Sequence, residues 1–103
     1  MTINYFVYKL LPPRPTFPAD MSAEESAIMR QHAGYWDGLL TQGRVVVFGP
    51  VADPAGVWGL AVVEAESVDD VRALCAEDPA VKSGMTAFDV YPMPASTARP
   101  WRP

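Results

Sequence analysis

Residues 45–64 read VVVFGPVADPAGVWGLAVVE, and this stretch decides the fold. Two apolar runs, residues 44–51 and 57–64, lie on either side of Asp53-Pro54-Ala55-Gly56, whose residue types favour a turn. Short runs rich in valine and bounded by turn residues are typical of β-strands. The centre of the chain is therefore predicted to form a β-hairpin.

A helix is predicted on each side of this hairpin. Ser22 begins the first helix, with Glu25 at the spacing of a capping box, and Gly43 ends it. Ser67 begins the second, and Asp78-Pro79 ends it because the residue before proline disfavours helical geometry. Apolar residues recur at helical spacing in both segments, namely Ile28, Tyr35, Trp36, Leu39 and Leu40, then Val68, Val71, Leu74 and Cys75.

Strands are predicted at the two ends, over residues 3–10 and 85–91, so the order is βαββαβ. This order predicts an α+β ferredoxin-like sandwich, with a four-stranded antiparallel sheet and two helices on one face. The proline-rich segment 11–18 is predicted to be a loop that is neither helix nor central strand, and long loops of this kind often cover a site. Residues 1–93 are assigned to the domain and 94–103 to a proline-rich tail, which Trp101 is expected to anchor.

The first strand is apolar on both sides. Alternate residues of a strand point to opposite faces, so Ile3, Tyr5 and Val7 are predicted on one face while Phe6, Tyr8 and Leu10 are predicted on the other. Because the helices cover a single face, we expect the open face to pack against a second copy as a homodimer. The alternative is a monomer with a few exposed apolar residues.

Composition excludes several classes of function. Half of the 103 residues are apolar, and 8 basic against 12 acidic residues give a net charge of −4, which argues against nucleic-acid binding. No apolar run is long enough to cross a membrane, and the N-terminal residues lack a signal-peptide pattern. A single cysteine and a single histidine exclude an internal disulfide and a multi-histidine metal site. We therefore expect a cytoplasmic protein without metal or cofactor, and an unknown small-molecule ligand.

His32 and Asp78 are the candidate catalytic residues. His32 is ten residues beyond Ser22 and Asp78 is eleven beyond Ser67, so each lies ~15 Å along its helix. If the two parallel helices start level, the side chains are neighbours. A buried carboxylate at a helix C-terminus also needs a partner, because the helix dipole disfavours it there.

An aspartate that holds one imidazole nitrogen leaves the other nitrogen free to act as a general base near neutral pH. The alternative to catalysis is a structural role, in which His32 is a core residue with its hydrogen bonds satisfied inside the protein and Asp78 only ends a helix. Tyr8, Tyr35 and Trp36 are weaker candidates for substrate binding, either as the lining of an aromatic pocket or as ordinary core residues. Arg14 is a further candidate, either for binding an anionic substrate group or as a solvated side chain. Cys75 is expected to be a small buried apolar residue.

A longer pattern joins these residues. Over roughly residues 3–93 the chain resembles the YCII-related proteins. The resemblance is carried by His32 through Tyr35 and Gly43, Gly49-Pro50, a strand through Gly59, Ser67, Asp78-Pro79 and Gly84. The resemblance implies a dimeric α/β barrel and a His–Asp active-site pair, here His32 and Asp78. A relative that eliminates chloride from a chlorinated hydroxyquinone-type ring implies proton transfer on small cyclic compounds. The proline-rich loop and the tail depart from the family pattern.

The resulting hypothesis is a lyase or isomerase in which His32, oriented by Asp78, moves a proton on a small cyclic or aromatic substrate. Two alternatives stay open, a dimer that binds a metabolite without catalysis and a cofactor-free monooxygenase in which Trp36 would matter. Haem binding with His32 as an axial ligand is compatible with the pairing of His32 and Asp78.

Overall fold

The computed structural model describes residues 4–100 of the chain. The predictions for Ile3 and Trp101 lie outside these residues, and residues 93–100 contain no helix or strand. The elements in chain order are β1 (Asn4–Leu11), α1 (Phe17–Asp20), α2 (Ala23–Thr41), β2 (Val45–Val51), β3 (Trp58–Ala65), α3 (Val68–Ala76), α4 (Pro79–Lys82) and β4 (Ala87–Pro92).

The four strands form one antiparallel sheet in the order β2-β3-β1-β4. The central hairpin predicted from the sequence pairs Val51 with Trp58 next to its turn, and a bulge interrupts the register between Val45 and Val47. Helix α2 connects β1 to the hairpin, and α3 follows the hairpin on the way to β4, in the predicted βαββαβ order. The predicted α+β fold is therefore confirmed.

The signals that begin and end the longest helix act as predicted. The amide of Glu25 donates to Oγ of Ser22 over 3.1 Å, and the amide of Ser22 donates to Oε1 of Glu25 over 2.8 Å, which completes the capping box. Gly43 follows the helix with φ +80°, a conformation that glycine adopts without steric cost.

Two short helices depart from the prediction. Phe17–Asp20 is helical although it contains Pro18. The N–H groups of the first helical turn have no acceptor within the helix, so a proline there loses no hydrogen bond. The prediction that the proline-rich stretch contains no helix is therefore wrong at its end.

The second departure concerns Asp78, which does not sit at the C-terminus of α3. That helix ends at Ala76, and Asp78 is instead the N-cap of α4, where its Oδ1 accepts from the amide of Ala80 over 2.9 Å. The argument that the helix dipole disfavours this carboxylate is therefore wrong, since an N-cap carboxylate satisfies free amides of the turn that follows it.

The sheet is apolar on both faces, as the strand pattern predicted. One face packs on the helices and carries the buried core, which includes Phe6, Tyr8, Leu10, Val63 and Val90. On the opposite face Val62 lies between Val7 and Val47, its partners on the two neighbouring strands. Val47 and Tyr91 on this face are each 51% exposed. No described residue of the chain covers this open face.

Candidate functional site

Three side chains converge on a single buried oxygen. Oδ2 of Asp78 accepts from the hydroxyl of Tyr8 over 2.8 Å and from Nε1 of Trp36 over 2.7 Å. Nδ1 of His32 lies 2.7 Å from the same oxygen. With Ala80 on Oδ1, the carboxylate has a partner on each oxygen, and none of its surface is exposed. The structure thus brings together the two residues proposed from the sequence as a catalytic pair.

The environment of Asp78 keeps it ionised. Burial raises the pKa of this carboxyl, but the hydrogen bonds from His32 and Trp36 outweigh burial, so that the pKa lies below its ordinary value. An ionised carboxylate can only accept hydrogen bonds, so the proton between the pair belongs to Nδ1 of His32. In the neutral imidazole the lone pair is then on Nε2.

Tyr8 and Trp36 hold the carboxylate from β1 and α2. Burial, and then the charge of Asp78, raise the pKa of the Tyr8 hydroxyl well above its ordinary value, so it stays a donor. The two rings are stacked, with centroids 4.6 Å apart and planes 21° apart. Tyr8 and Trp36 are both almost fully buried, so this stack fixes two of the three donors in position.

A cavity of about 280 Å³ lies beside this network, between the sheet, α2 and the loop after β1. His32 forms part of its wall and keeps 14% of its side chain exposed, whereas Asp78 is not in the wall. The aromatic members of the wall are Tyr8, Phe17, Trp36, Phe48 and Trp58. The histidine of the pair can therefore meet a ligand, while the aspartate acts from behind the surface.

The proline-rich loop and α1, which follows it, close one side of the cavity through Pro12, Phe17, Pro18 and Met21. This places the loop over the site, as its length suggested.

Arg14 fastens the loop to α2 and does not line the cavity. Its Nε donates to Oδ1 of Asp20 over 2.8 Å, and its two terminal nitrogens donate to the two oxygens of Glu25 over 2.8 Å each. The hydrogen bond from Arg14, followed by that from the amide of Ser22, lowers the pKa of Glu25 to about 2. The structure does not bring Arg14 to the position expected of a substrate-binding residue, because its donors are engaged by the two carboxylates.

Of the remaining candidates, Tyr8 and Trp36 line the cavity and Tyr35 does not. The hydroxyl of Tyr35 donates to the carbonyl of Leu74 over 2.6 Å, and its ring meets Trp36 edge-on at 5.6 Å. Cys75 is fully buried, as expected, and burial raises the pKa of its thiol to about 12, so it is not a nucleophile at neutral pH.

Thr86 is a cavity residue that the sequence did not single out. It lies just before β4, is 8% exposed and forms part of the wall. Its Oγ1 is buried without a hydrogen-bond partner among the described residues, a situation that costs about 1–3 kcal/mol. Nothing in its neighbourhood distinguishes this threonine from the others in the sequence, because the wall it joins is built from distant segments.

Within residues 4–100, no group of three or more histidine, cysteine or acidic side chains is arranged to hold a metal ion. None of the helices in this range combines the length and apolar character needed to span a bilayer.

Comparison with known proteins identifies relatives of this fold. The sequence profile of the YCII-related domain matches residues 9–94. A solved structure of 5-chloro-2-hydroxyhydroquinone dehydrochlorinase from Burkholderia phenoliruptrix AC1100, in complex with 2,5-dihydroxybenzoquinone, is similar with a TM-score of 0.61. It shares 21% sequence identity, and the match covers 95% of this chain and 93% of that chain. Among curated proteins, no sequence matches the chain.

Proposed function

This chain belongs to the YCII-related family, and from that premise we propose that it is a small-molecule enzyme in which His32 transfers a proton on a small ring compound. The observation that carries the proposal is the asymmetry of the pair. Asp78 is fully buried and ionised, and His32 alone of the two reaches the cavity. A general base needs such an arrangement, with one nitrogen anchored and the other facing the substrate.

In the proposed reaction, Nε2 of His32 takes a proton from an O–H or C–H group of the substrate. The electron pair of that bond stays on the ring, and the buried carboxylate of Asp78 stabilises the imidazolium that forms. Return of the proton to another ring atom gives an isomerase. Departure of a leaving group with its electron pair gives a lyase, and neither route requires an oxidant or a reductant.

The structural relative supports the choice of a ring compound. The compound in its name, 5-chloro-2-hydroxyhydroquinone, and its bound molecule, 2,5-dihydroxybenzoquinone, are both small oxygenated six-membered rings. The cavity beside His32 is large enough for such a ring, and its aromatic wall suits a flat molecule.

We also propose that two copies pair through the open sheet face. Val62 sits at the centre of that face between Val7 and Val47, and Val47 and Tyr91 are half exposed in the single chain. An apolar face of this kind on a small domain favours burial against a second copy. A cytoplasmic location, and the division into a domain of residues 1–93 and a tail of residues 94–103, remain predictions.

The proposal is tested with two compounds, hydroxyhydroquinone and its 5-chloro derivative. Exchange of ring protons in D2O, followed by NMR, reports proton transfer without a leaving group, and chloride release reports elimination. We expect the protein to accelerate at least one of these reactions over buffer. Rates equal to buffer in both assays would contradict the proposal.

A further inference from the structure

The size of the cavity exceeds what one small ring needs. Its volume is about 280 Å³. For comparison, an apolar cavity of roughly 150 Å³ engineered into a protein interior binds benzene. The space beside His32 therefore admits a two-ring compound or a single ring with a bulky substituent.

The wall of the cavity favours an uncharged ligand. Its described residues include five Phe, Tyr and Trp side chains and no Lys or Arg. Arg14 of the loop already donates to Asp20 and Glu25. The ammonium of Lys9 lies 4.8 Å from the centroid of the Trp58 ring, and Lys9 is not itself a wall residue. A ligand anion would also stand close to the ionised Asp78, so its burial here would be costly.

Thr86 belongs to this largely apolar wall, and its Oγ1 is buried within the wall and has no surface of its own in the cavity. Ala80 of α4 contacts both Asp78 and Thr86. Its amide donates to Oδ1 of Asp78, and its carbonyl accepts from the amide of Thr86 over 3.3 Å. Thr86 therefore lies close to the pair, and its Oγ1 has no hydrogen-bond partner among the residues described. A ligand that carries an oxygen can provide that partner.

We propose that the cavity binds an uncharged aromatic compound larger than one ring, and that rotation of the Thr86 side chain about its Cα–Cβ bond lets the unpartnered hydroxyl form a hydrogen bond with an oxygen atom on it. This inference rests on the proposed function for the site and names its class of ligand. Thr86 becomes a binding residue that orients the ring in front of His32. The aromatic wall contributes affinity through contact with both rings.

Isothermal titration calorimetry with four probes tests the class of ligand. We expect 2-naphthol to bind at least about tenfold more tightly than phenol, because the second ring buries further apolar surface. We expect 2-naphthoate to bind at least about tenfold more weakly than 2-naphthol, because its charge loses hydration in the cavity. Equal affinity for phenol and 2-naphthol, or tighter binding of 2-naphthoate, would overturn the proposal.

The variant Thr86→Val tests the hydrogen bond, since valine keeps the shape of threonine and removes the hydroxyl. Its affinity for 2-naphthol should fall about two- to tenfold, and its affinity for naphthalene, which has no oxygen, should stay unchanged. Thr41→Val on the exposed end of α2 is the matched control and should bind both probes like the wild type.

Parallel losses for 2-naphthol and naphthalene in Thr86→Val would indicate a change of cavity shape and would overturn the role of the hydroxyl. Unchanged affinity for both probes would overturn it as well. Because these are equilibrium measurements in which no bond is made or broken, their failure leaves proton transfer by His32 to be judged by its own kinetic assays.

Discussion

Nδ1 of His32 lies 2.7 Å from Oδ2 of Asp78, although 46 residues separate the two in the sequence. One belongs to the middle of α2, and the other caps the short helix α4. The contact leaves Nε2 of the imidazole for a ligand and puts the negative charge on the opposite side of the ring. The proposed proton transfer at the cavity wall depends on this relationship, and five predictions test it and the structure around it.

Replacing His32 with alanine should abolish proton transfer while the fold persists. General-base catalysis contributes about 10²–10⁴-fold to a rate, so kcat for ring-proton exchange or chloride release should fall by that factor. We expect the variant to fold because His32 is a wall residue with part of its side chain exposed. Circular dichroism and thermal unfolding check this expectation. Rates within a factor of two of the wild type would remove His32 from the mechanism.

The variant Asp78→Asn should be strongly destabilised at neutral pH. Loss of a buried charge that holds three donors should lower the free energy of unfolding by about 3–5 kcal/mol. The pKa of Asp78 is lowered by folding, so its stabilising contribution is present above the ordinary carboxyl pKa of about 3.9. That contribution falls as the pH drops below this value toward the pKa of the folded state.

Urea unfolding from pH 7 down to acid checks this prediction. The difference in free energy between wild type and Asp78→Asn should shrink as the pH falls. Asp37→Asn, on the exposed side of α2, is the control and should follow the wild-type profile. A difference that stays constant over the whole range would show that ionisation of Asp78 does not stabilise the fold.

Tyr8→Phe should raise the pKa of Asp78, because the charged carboxylate loses one of its donors. The free energy of unfolding at pH 7 should fall by about 1.5–3 kcal/mol, the usual loss for a hydrogen bond to a charged group. Carbon-detected NMR titration of the carboxyl measures the first effect, and urea unfolding measures the second. Thr41→Val, on the exposed end of α2 and away from the open sheet face, is the control and should change stability by less than about 0.5 kcal/mol. An unchanged pKa of Asp78 in Tyr8→Phe would contradict the network.

Glu25→Gln should weaken the attachment of the loop to α2. The pKa of Glu25 is lowered from 4.5 to about 2, first by Arg14, so the ionised form stabilises the folded state above the ordinary value. The difference in stability between wild type and Glu25→Gln should therefore be full at neutral pH and disappear as the pH falls from 4.5 to about 2. Glu24→Gln in the same exposed turn is the control, measured by urea unfolding at each pH. The pairing with Arg14 would be refuted if both variants showed the same profile.

Val62→Asp should prevent pairing through the open sheet face. A charge at the centre of a buried apolar interface should weaken association by about 100-fold or more. Size-exclusion chromatography with light scattering should give a dimer for the wild type and a monomer for the variant. Val68→Asp carries the same change on α3, away from this face, and should remain dimeric. A monomeric wild type at micromolar concentration would end the dimer proposal.

Much of the fold could be predicted because its signals are local. The capping box at Ser22 and Glu25, the stop at Gly43 and the turn between the two central strands each depend on residues a few positions apart. The period of the apolar residues then determined which elements are helices and which are strands. Both short helices were missed, because a helix of four residues contains too few positions to show a period.

The sequence by itself determined the element order, the apolar character of both sheet faces and the choice of His32 and Asp78 as a pair. Only the tertiary structure decided that Tyr8 and Trp36, which are 70 and 42 residues from Asp78, donate to the same oxygen. It also decided that Arg14 holds the loop and that Thr86 joins the cavity wall. The physical reason is that convergence of side chains depends on how distant elements cross and align, and no local period encodes that alignment.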